Sequence, residues 1–219
     1  MSPFAFANRR EAGAALAAEL GKYRGRADVV VLALPRGGVP VGYEVARALG
    51  APLDVFVVRK LGAPAHPELA MGAVASGGVR VLNRDVIDWY RISPAALEAV
   101  TREELAELER RERAYREGRE GSDLKDKVVL VVDDGLATGS TMKAAVQAVR
   151  ERGPARVVVA VPVGAPHTCH ELGELADEVV CARMPEDFAA VGQFYADFEQ
   201  TSDAEVRELL RARGFTIAT

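Results

Sequence analysis

The sequence has few cysteines, no long apolar run and no excess of positive charge, and each shortage excludes a class of protein. Two cysteines, Cys169 and Cys181, are too few for a disulfide framework and fit a reducing cytoplasm. No run of about eighteen apolar residues occurs, so we expect no membrane-spanning helix. A net charge of −4, with basic and acidic residues interleaved, gives no electrostatic footprint for nucleic acid.

The remaining composition is that of an ordinary globular domain. Hydrophobic residues make up 49% of the 219 residues and charged residues 27%, which is enough for a sizeable core and a polar surface. The first residues lack a basic region ahead of a long apolar core, so they do not resemble a signal peptide. We therefore expect a cytoplasmic α/β protein that forms a single domain over residues 1–219.

The stretch VVLVVDDGLATGST, residues 128–141, organises the chain. Its first five residues are apolar without alternation, which predicts a strand buried on both faces of a parallel sheet. Asp133 and Asp134 follow at the carboxyl end of that strand, where open α/β sheets bind their ligands. An ordinary strand and turn with two solvated aspartates is the alternative interpretation.

The turn after this acidic pair is suited to an anion. Gly135 and Gly139 permit tight turns in which several backbone N–H groups converge. Ser140 or Thr141 can cap the helix that begins near Met142, and a helix N-terminus attracts phosphate. Carboxylates beside such a turn indicate a ligand with both hydroxyl and phosphate groups, such as a sugar phosphate. Neither the P-loop motif nor the dinucleotide-binding G-x-G-x-x-G is present.

This stretch resembles the phosphoribosyl-diphosphate (PRPP) signature of the type I phosphoribosyltransferases, in which an apolar run and two acidic residues precede T-G-S/G-T. The resemblance implies that Asp133 and Asp134 form the catalytic acidic pair and bind the ribose hydroxyls. It also implies that the loop after them wraps the 5-phosphate. The residues concerned are Ala137, Thr138, Gly139, Ser140 and Thr141.

Two further stretches at strand ends carry the implied pyrophosphate contacts. Residues 28–34 predict a buried strand that runs into Arg36, Gly37 and Gly38. In the family this first loop binds pyrophosphate, often through a cis peptide and a basic side chain. Residues 53–58 predict a second strand, followed by Arg59 and Lys60, which the resemblance makes another pyrophosphate contact. The alternative for these two cations is an exposed basic turn.

The resemblance implies a fold as well: a Rossmann-like parallel sheet of about five strands with flanking helices. Residues 59–126 then form an inserted segment, with a hairpin that turns at residues 76–78 and a charged helix over residues 94–119. Residues 184–219 form a small hood and a closing helix that Ser202 can cap. In the hood, the likeness to 6-oxopurine enzymes implies that Phe188 stacks on the acceptor and that Asp197 approaches Mg²⁺.

The implied activity is transfer of the phosphoribosyl group of PRPP to a nitrogen acceptor, with Mg²⁺ as cofactor and a homodimer as the assembly. Ala137 stands where the 6-oxopurine enzymes carry an aspartate near the base, so this sequence marks the PRPP half of the site and leaves the acceptor open. A PRPP-sensing regulatory protein without catalytic activity is the alternative function.

Overall fold

The computed structural model describes residues 5–64 and 66–213. Its centre is a five-stranded parallel sheet, as the sequence predicts, with the strand order β2-β1-β6-β7-β8. The strands are β1 (Val29–Ala33), β2 (Leu53–Val55), β6 (Val128–Val132), β7 (Arg156–Val163) and β8 (Glu178–Arg183).

Helices cover both faces of this sheet, which explains why its central strands are apolar at every position. Every residue of β1 and β6 is buried, and their side chains divide alternately between two core clusters. One cluster includes α1 (Arg9–Glu19), α2 (Gly38–Leu49) and α7 (Asp203–Arg213), and the other includes α5 (Ser140–Arg150) and α6 (Pro166–Leu172). The chain turns to opposite sides after β1 and after β6, so a topological switch point lies between these strands.

A second, antiparallel sheet follows β2 and packs between the long helix over residues 94–116 and α5. The strand predicted over residues 53–58 is interrupted, because the chain leaves the parallel sheet after Val55. The backbone N–H of Val57 donates to the Ser76 hydroxyl, and a new strand begins at Val58. The segment comprises β3 (Val58–Ala63), β4 (His66–Ala75), β5 (Val79–Leu82), α3 (Arg84–Trp89) and α4 (Pro94–Arg116). The predicted hairpin is confirmed between β4 and β5.

Side chains cap the starts of α1 and α7, the second as the sequence predicts, whereas the cap expected at α5 is absent. The Asn8 side chain accepts from two backbone N–H groups at the start of α1, and the Ser202 hydroxyl accepts from the Glu205 N–H. The capping role of Ser140 or Thr141 is wrong. Gly139 occupies the cap position of α5 with φ at 69°, which makes Ser140 the first helical residue, and no side chain in the described chain caps this helix.

The hood is built on the amino-terminal segment. Here "hood" denotes residues 184–199, whose one helical turn is Val191–Phe194. Phe6 and Tyr195 form a parallel backbone bridge, and the Phe6 side chain, 1% exposed, packs in a cluster with Phe194 and Tyr195. The hood is thus attached beside the start of α1, a contact that no local pattern predicts.

The two cysteines are paired, which differs from the sequence-based interpretation that they fit a reducing cytoplasm, where thiols stay reduced. Cys169 lies in α6 and Cys181 in β8, and these neighbouring elements bring the two residues together as a disulfide. Within residues 5–64 and 66–213, no helix combines the length and the apolar character that crossing a membrane requires.

Candidate functional site

The loop after β1 and the acidic pair after β6 meet at the carboxyl edge of the sheet. β1 and β6 are neighbours in register, so residues that follow both strands are adjacent. A Cβ atom built on Gly38 would lie 2.8 Å from the Val132 carbonyl oxygen and 2.9 Å from the Asp133 Cα. A Cβ atom on Gly37 would overlap the Asp134 carboxylate. Glycine therefore allows the loop, residues 35–38, to touch the acidic pair directly.

Arg36 is held at the side of this loop. The Pro35–Arg36 peptide bond is cis, the form that the family resemblance gives to the pyrophosphate loop. The Arg36 guanidinium lies 3.9 Å from the Asp203 carboxylate at the start of α7, and its side chain stays partly exposed. The Tyr115 hydroxyl donates to the same Asp203 oxygen at 2.8 Å. The cation is therefore beside the loop and in reach of solvent.

The acidic pair is electrostatically unfavourable in the absence of a ligand. Burial, and then the charge of Asp134, raise the pKa of Asp133 well above its ordinary value. Burial also raises the pKa of Asp134, and the hydrogen bond and charge of Arg9 oppose that rise. The Asp134 backbone N–H donates to the Asp133 carboxylate at 2.9 Å, which orients the Asp133 side chain.

Two groups that the sequence analysis did not single out contact Asp134. The Arg9 Nε donates to its carboxylate at 2.8 Å, and the Tyr195 hydroxyl donates to its backbone carbonyl at 2.6 Å. Burial raises the pKa of the Tyr195 hydroxyl, so it remains a donor. The only sequence signal for Arg9 is shared with Arg10: a cation in the first turn of a helix opposes the helix dipole, so a nearby anion stabilises it.

The predicted phosphate loop, residues 137–141, is an exposed turn supported from below. The Thr168 hydroxyl donates to the Ala137 carbonyl at 2.6 Å, and a Cβ atom on Gly139 would lie only 2.5 Å from the Thr168 methyl. Ser140 and Thr141 are exposed at the start of α5, and the Ser140 hydroxyl donates to the Thr138 hydroxyl at 3.4 Å. The loop therefore presents a helix N-terminus without an internal cap.

Arg59 and Lys60 project to opposite faces of β3, because side chains alternate along a strand. Arg59 forms an ion pair with Glu104 of α4 at 2.6 Å. Lys60 lines a cavity of about 590 Å³ that also reaches Ser140 and Thr141. The structure thus brings Lys60 toward the phosphate loop and places Arg59 against α4.

The two hood residues singled out in the sequence lie against other protein side chains. Phe188 is partly buried against Phe194, with ring centroids 5.2 Å apart. Asp197 lines a groove in which two arginines, Arg9 and Arg10, are mixed with the further acidic residues Glu199 and Glu205. Among the described residues, no group of three or more His, Cys, Asp or Glu side chains could hold a metal ion. The metal role of Asp197 stays a prediction.

Comparison with known proteins places this geometry in a family. The family model of the phosphoribosyl transferase domain matches residues 7–199 of the sequence, which include the loop after β1, the acidic pair, the phosphate loop and the hood. The chain therefore belongs to the phosphoribosyl transferase domain family, as the signature in residues 128–141 indicated.

Individual relatives agree with this assignment. A Mycobacterium tuberculosis protein named as a putative phosphoribosyl transferase is 52% identical over 201 residues, or 92% of this chain and 45% of that protein. The bifunctional protein PyrR of Clostridium acetobutylicum is 30% identical over 72% of this chain and 68% of its own length. The crystal structure of TT1426 from Thermus thermophilus is 46% identical, with a TM-score of 0.84, and the match covers 94% of this chain and 97% of that one. The chain spans about half the length of the Mycobacterium relative.

Proposed function

We propose that the protein transfers the 5-phosphoribosyl group of PRPP to a nitrogen atom of a nucleobase or a similar heterocycle and releases pyrophosphate. One observation carries this proposal: the glycines of the loop after β1 touch the acidic pair after β6 at the switch point of the sheet. A ligand with a diphosphate on one side of a ribose and a phosphate on the other would span that loop, the acidic pair and the phosphate loop.

The roles of the residues follow from their chemistry. Asp133 and Asp134 would accept hydrogen bonds from the ribose hydroxyls, and the N–H groups of residues 137–141 would bind the 5-phosphate. Gly37 and Gly38 would allow the backbone to approach the diphosphate, and Arg36 and Lys60 would neutralise its charge. As the acceptor nitrogen forms its bond to the anomeric carbon, the carbon–oxygen bond to the diphosphate breaks, and the diphosphate leaves with the electron pair.

Four further elements belong to this proposal and depend on the family likeness. Mg²⁺ takes most of its ligands from phosphate and water oxygens, so a cluster of protein carboxylates is not needed; when bound, it neutralises the departing diphosphate. Phe188 would stack on the acceptor after the hood rearranges around Phe194. The active assembly would be a homodimer. Arg59 would contribute to pyrophosphate binding only if it left Glu104.

Calorimetric titration with PRPP and Mg²⁺ tests the proposal, followed by a pyrophosphate-release assay with a panel of bases on the same sample. We expect binding, and release with at least one base. Asp134→Asn should weaken PRPP binding by about 1.5–3 kcal/mol, since a charge-assisted hydrogen bond is lost. Asp123→Asn, an exposed aspartate in the loop before β6, is the matched control.

Each outcome of these assays has a distinct meaning. Binding without release for any base would favour the alternative of a PRPP-sensing protein. PRPP affinity that is unchanged in Asp134→Asn would contradict the role of the acidic pair, and no binding by the wild type would contradict the proposed function as a whole.

A further inference from the structure

Arg9 connects three parts of the site with one side chain. Its Nε donates to the Asp134 carboxylate at 2.8 Å, and its Nη1 donates to the Glu199 carbonyl at 2.7 Å. Its guanidinium carbon lies 4.0 Å from the centroid of the Phe198 ring, which in turn stacks on Tyr195 at 5.0 Å. Glu199 and Phe198 form the end of the hood, so Arg9 joins the hood to the acidic pair.

The surroundings of Arg9 show that this arrangement is specific. The side chain is only 12% exposed, and its partner Asp134 is 14% exposed, so the ion pair is largely shielded from water. A Cβ atom on Gly37 would lie 3.3 Å from the Arg9 Nε, which places the guanidinium against the loop after β1 as well. By contrast, the adjacent Arg10 has a side chain 55% exposed and lies 3.9 Å from Glu44, remote from the acidic pair.

We infer that Arg9 is a positioning residue of the site, which orients the Asp134 carboxylate for the ribose and fastens the end of the hood over the acidic pair. This inference rests on the proposed function, because the orientation matters for a ribose ligand. A guanidinium suits this role because its planar, fixed donors can serve a carboxylate and a carbonyl together while its face stacks on an aromatic ring. Lysine offers the charge without that geometry.

The charge of Arg9 has a second consequence. Two neighbouring carboxylates in a buried site repel each other, and a nearby cation allows both to stay ionised. Two other elements place charged or titratable groups around the acidic pair: α1 contributes Arg9, and the hood contributes Tyr195. The charge of Arg183, at the end of β8, acts in turn on the pKa of Tyr195. Arg36, although near in sequence to Gly37, is directed to Asp203. Removal of the Arg9 charge should therefore favour protonation of the acidic pair.

The test compares Arg9→Gln and Arg9→Lys with Arg10→Gln, a control that removes the neighbouring positive charge. In the ligand-free protein, hydrogen exchange is followed at the amides of Ala196 and Asp197, which donate to the carbonyls of residues 6 and 7. We expect faster exchange there in Arg9→Gln by about tenfold, a smaller change in Arg9→Lys, and none in the control. If these two amides exchange in Arg9→Gln at the same rate as in the wild type, the fastening role is refuted.

PRPP affinity provides the second measurement. Arg9→Gln should bind PRPP about 10- to 100-fold more weakly at pH 6.5, the ratio that corresponds to loss of a charge-assisted interaction. The ratio to the wild type should shrink as the pH of the assay is raised, because a higher pH favours the ionised acidic pair without the help of Arg9. A purely structural defect would leave that ratio constant, so a constant ratio, or affinity like that of Arg10→Gln, would overturn the orienting role. If the wild type binds no PRPP, the proposed function fails, while hydrogen exchange still decides the fastening role.

Discussion

Gly38→Ala tests directly whether the close approach of the first loop to the acidic pair is required by the fold. The added Cβ would meet the Val132 carbonyl oxygen at 2.8 Å and the Asp133 Cα at 2.9 Å. Both are backbone atoms next to the central strand of the sheet, which is paired on both sides, so neither can move without disturbing the sheet. Because Gly38 begins α2 with an ordinary helical backbone, only crowding opposes alanine.

The expected magnitude combines two opposing effects. Overpacking in a closely packed region costs typically about 1–3 kcal/mol. Alanine in a helix gains roughly 0.5–1 kcal/mol over glycine through the unfolded state. Since the obstructing atoms are backbone, we expect the upper part of the range, and thus a net loss of about 1–2 kcal/mol in the free energy of unfolding.

Urea denaturation followed by circular dichroism measures this free energy, and Gly21→Ala is the matched control. Gly21 is exposed in a short 3₁₀ helix, and a Cβ atom there would meet nothing within 4 Å. We expect Gly21→Ala to be as stable as the wild type or slightly more stable. If Gly38→Ala matched Gly21→Ala in stability and retained PRPP binding, the inferred contact between the loop and the acidic pair would be wrong.

Three further substitutions address individual contacts by the same measurement. Tyr195→Phe should cost about 0.5–1.5 kcal/mol, because the hydroxyl that donates to the Asp134 carbonyl is lost; a variant as stable as the wild type would count against that bond. Asp54→Ala removes the buried carboxylate that forms an ion pair with Arg116. It should cost about 3 kcal/mol, the low end for a broken buried ion pair, because Glu112 still pairs with Arg116. A loss under about 1 kcal/mol would contradict a stabilising role of this ion pair. Compared with the wild type, the ligand-free Asp133→Asn variant should gain more stability at pH 8 than at pH 5. The raised pKa means that the folded wild type binds more protons than the unfolded chain, so its stability falls as pH rises above about 4. An advantage of the variant that did not grow between pH 5 and pH 8 would refute this reasoning.

The sequence predicted the groups at the strand ends because buried parallel strands have a clear pattern. Continuous apolar runs such as residues 128–132 identify the central strands, and polar residues directly after them must lie at the carboxyl edge of the sheet. The position of the acidic pair beside Gly37 and Gly38 follows from these two facts once the strands are neighbours.

The contacts that the sequence did not predict are long-range, or they depend on the local backbone conformation or on the face of a strand to which a side chain points. Arg9 and Asp134 are 125 positions apart, and the packing of α1 on α2, β7 and β8, together with the contacts of the hood with residues 6 and 7, brings α1 to the acidic pair. The error at the start of α5 has a local cause. Gly139 in the left-handed conformation takes the capping position, so the helix begins at Ser140 and not near Met142, and the side chain of Ser140 is past the capping position.

The separation of Arg59 and Lys60 shows how one strand can contribute to both stability and binding. Arg59 and Glu104 are each less than one-third exposed, so their ion pair joins β3 firmly to α4. Lys60 lies 3.4 Å from Glu68, whose side chain is almost fully exposed, and an exposed pair of this kind contributes at most about 1 kcal/mol. Lys60 can therefore exchange Glu68 for a phosphate at little cost, whereas Arg59 cannot leave Glu104 so easily. Of the two cations, Lys60 is therefore the one that we propose for the diphosphate.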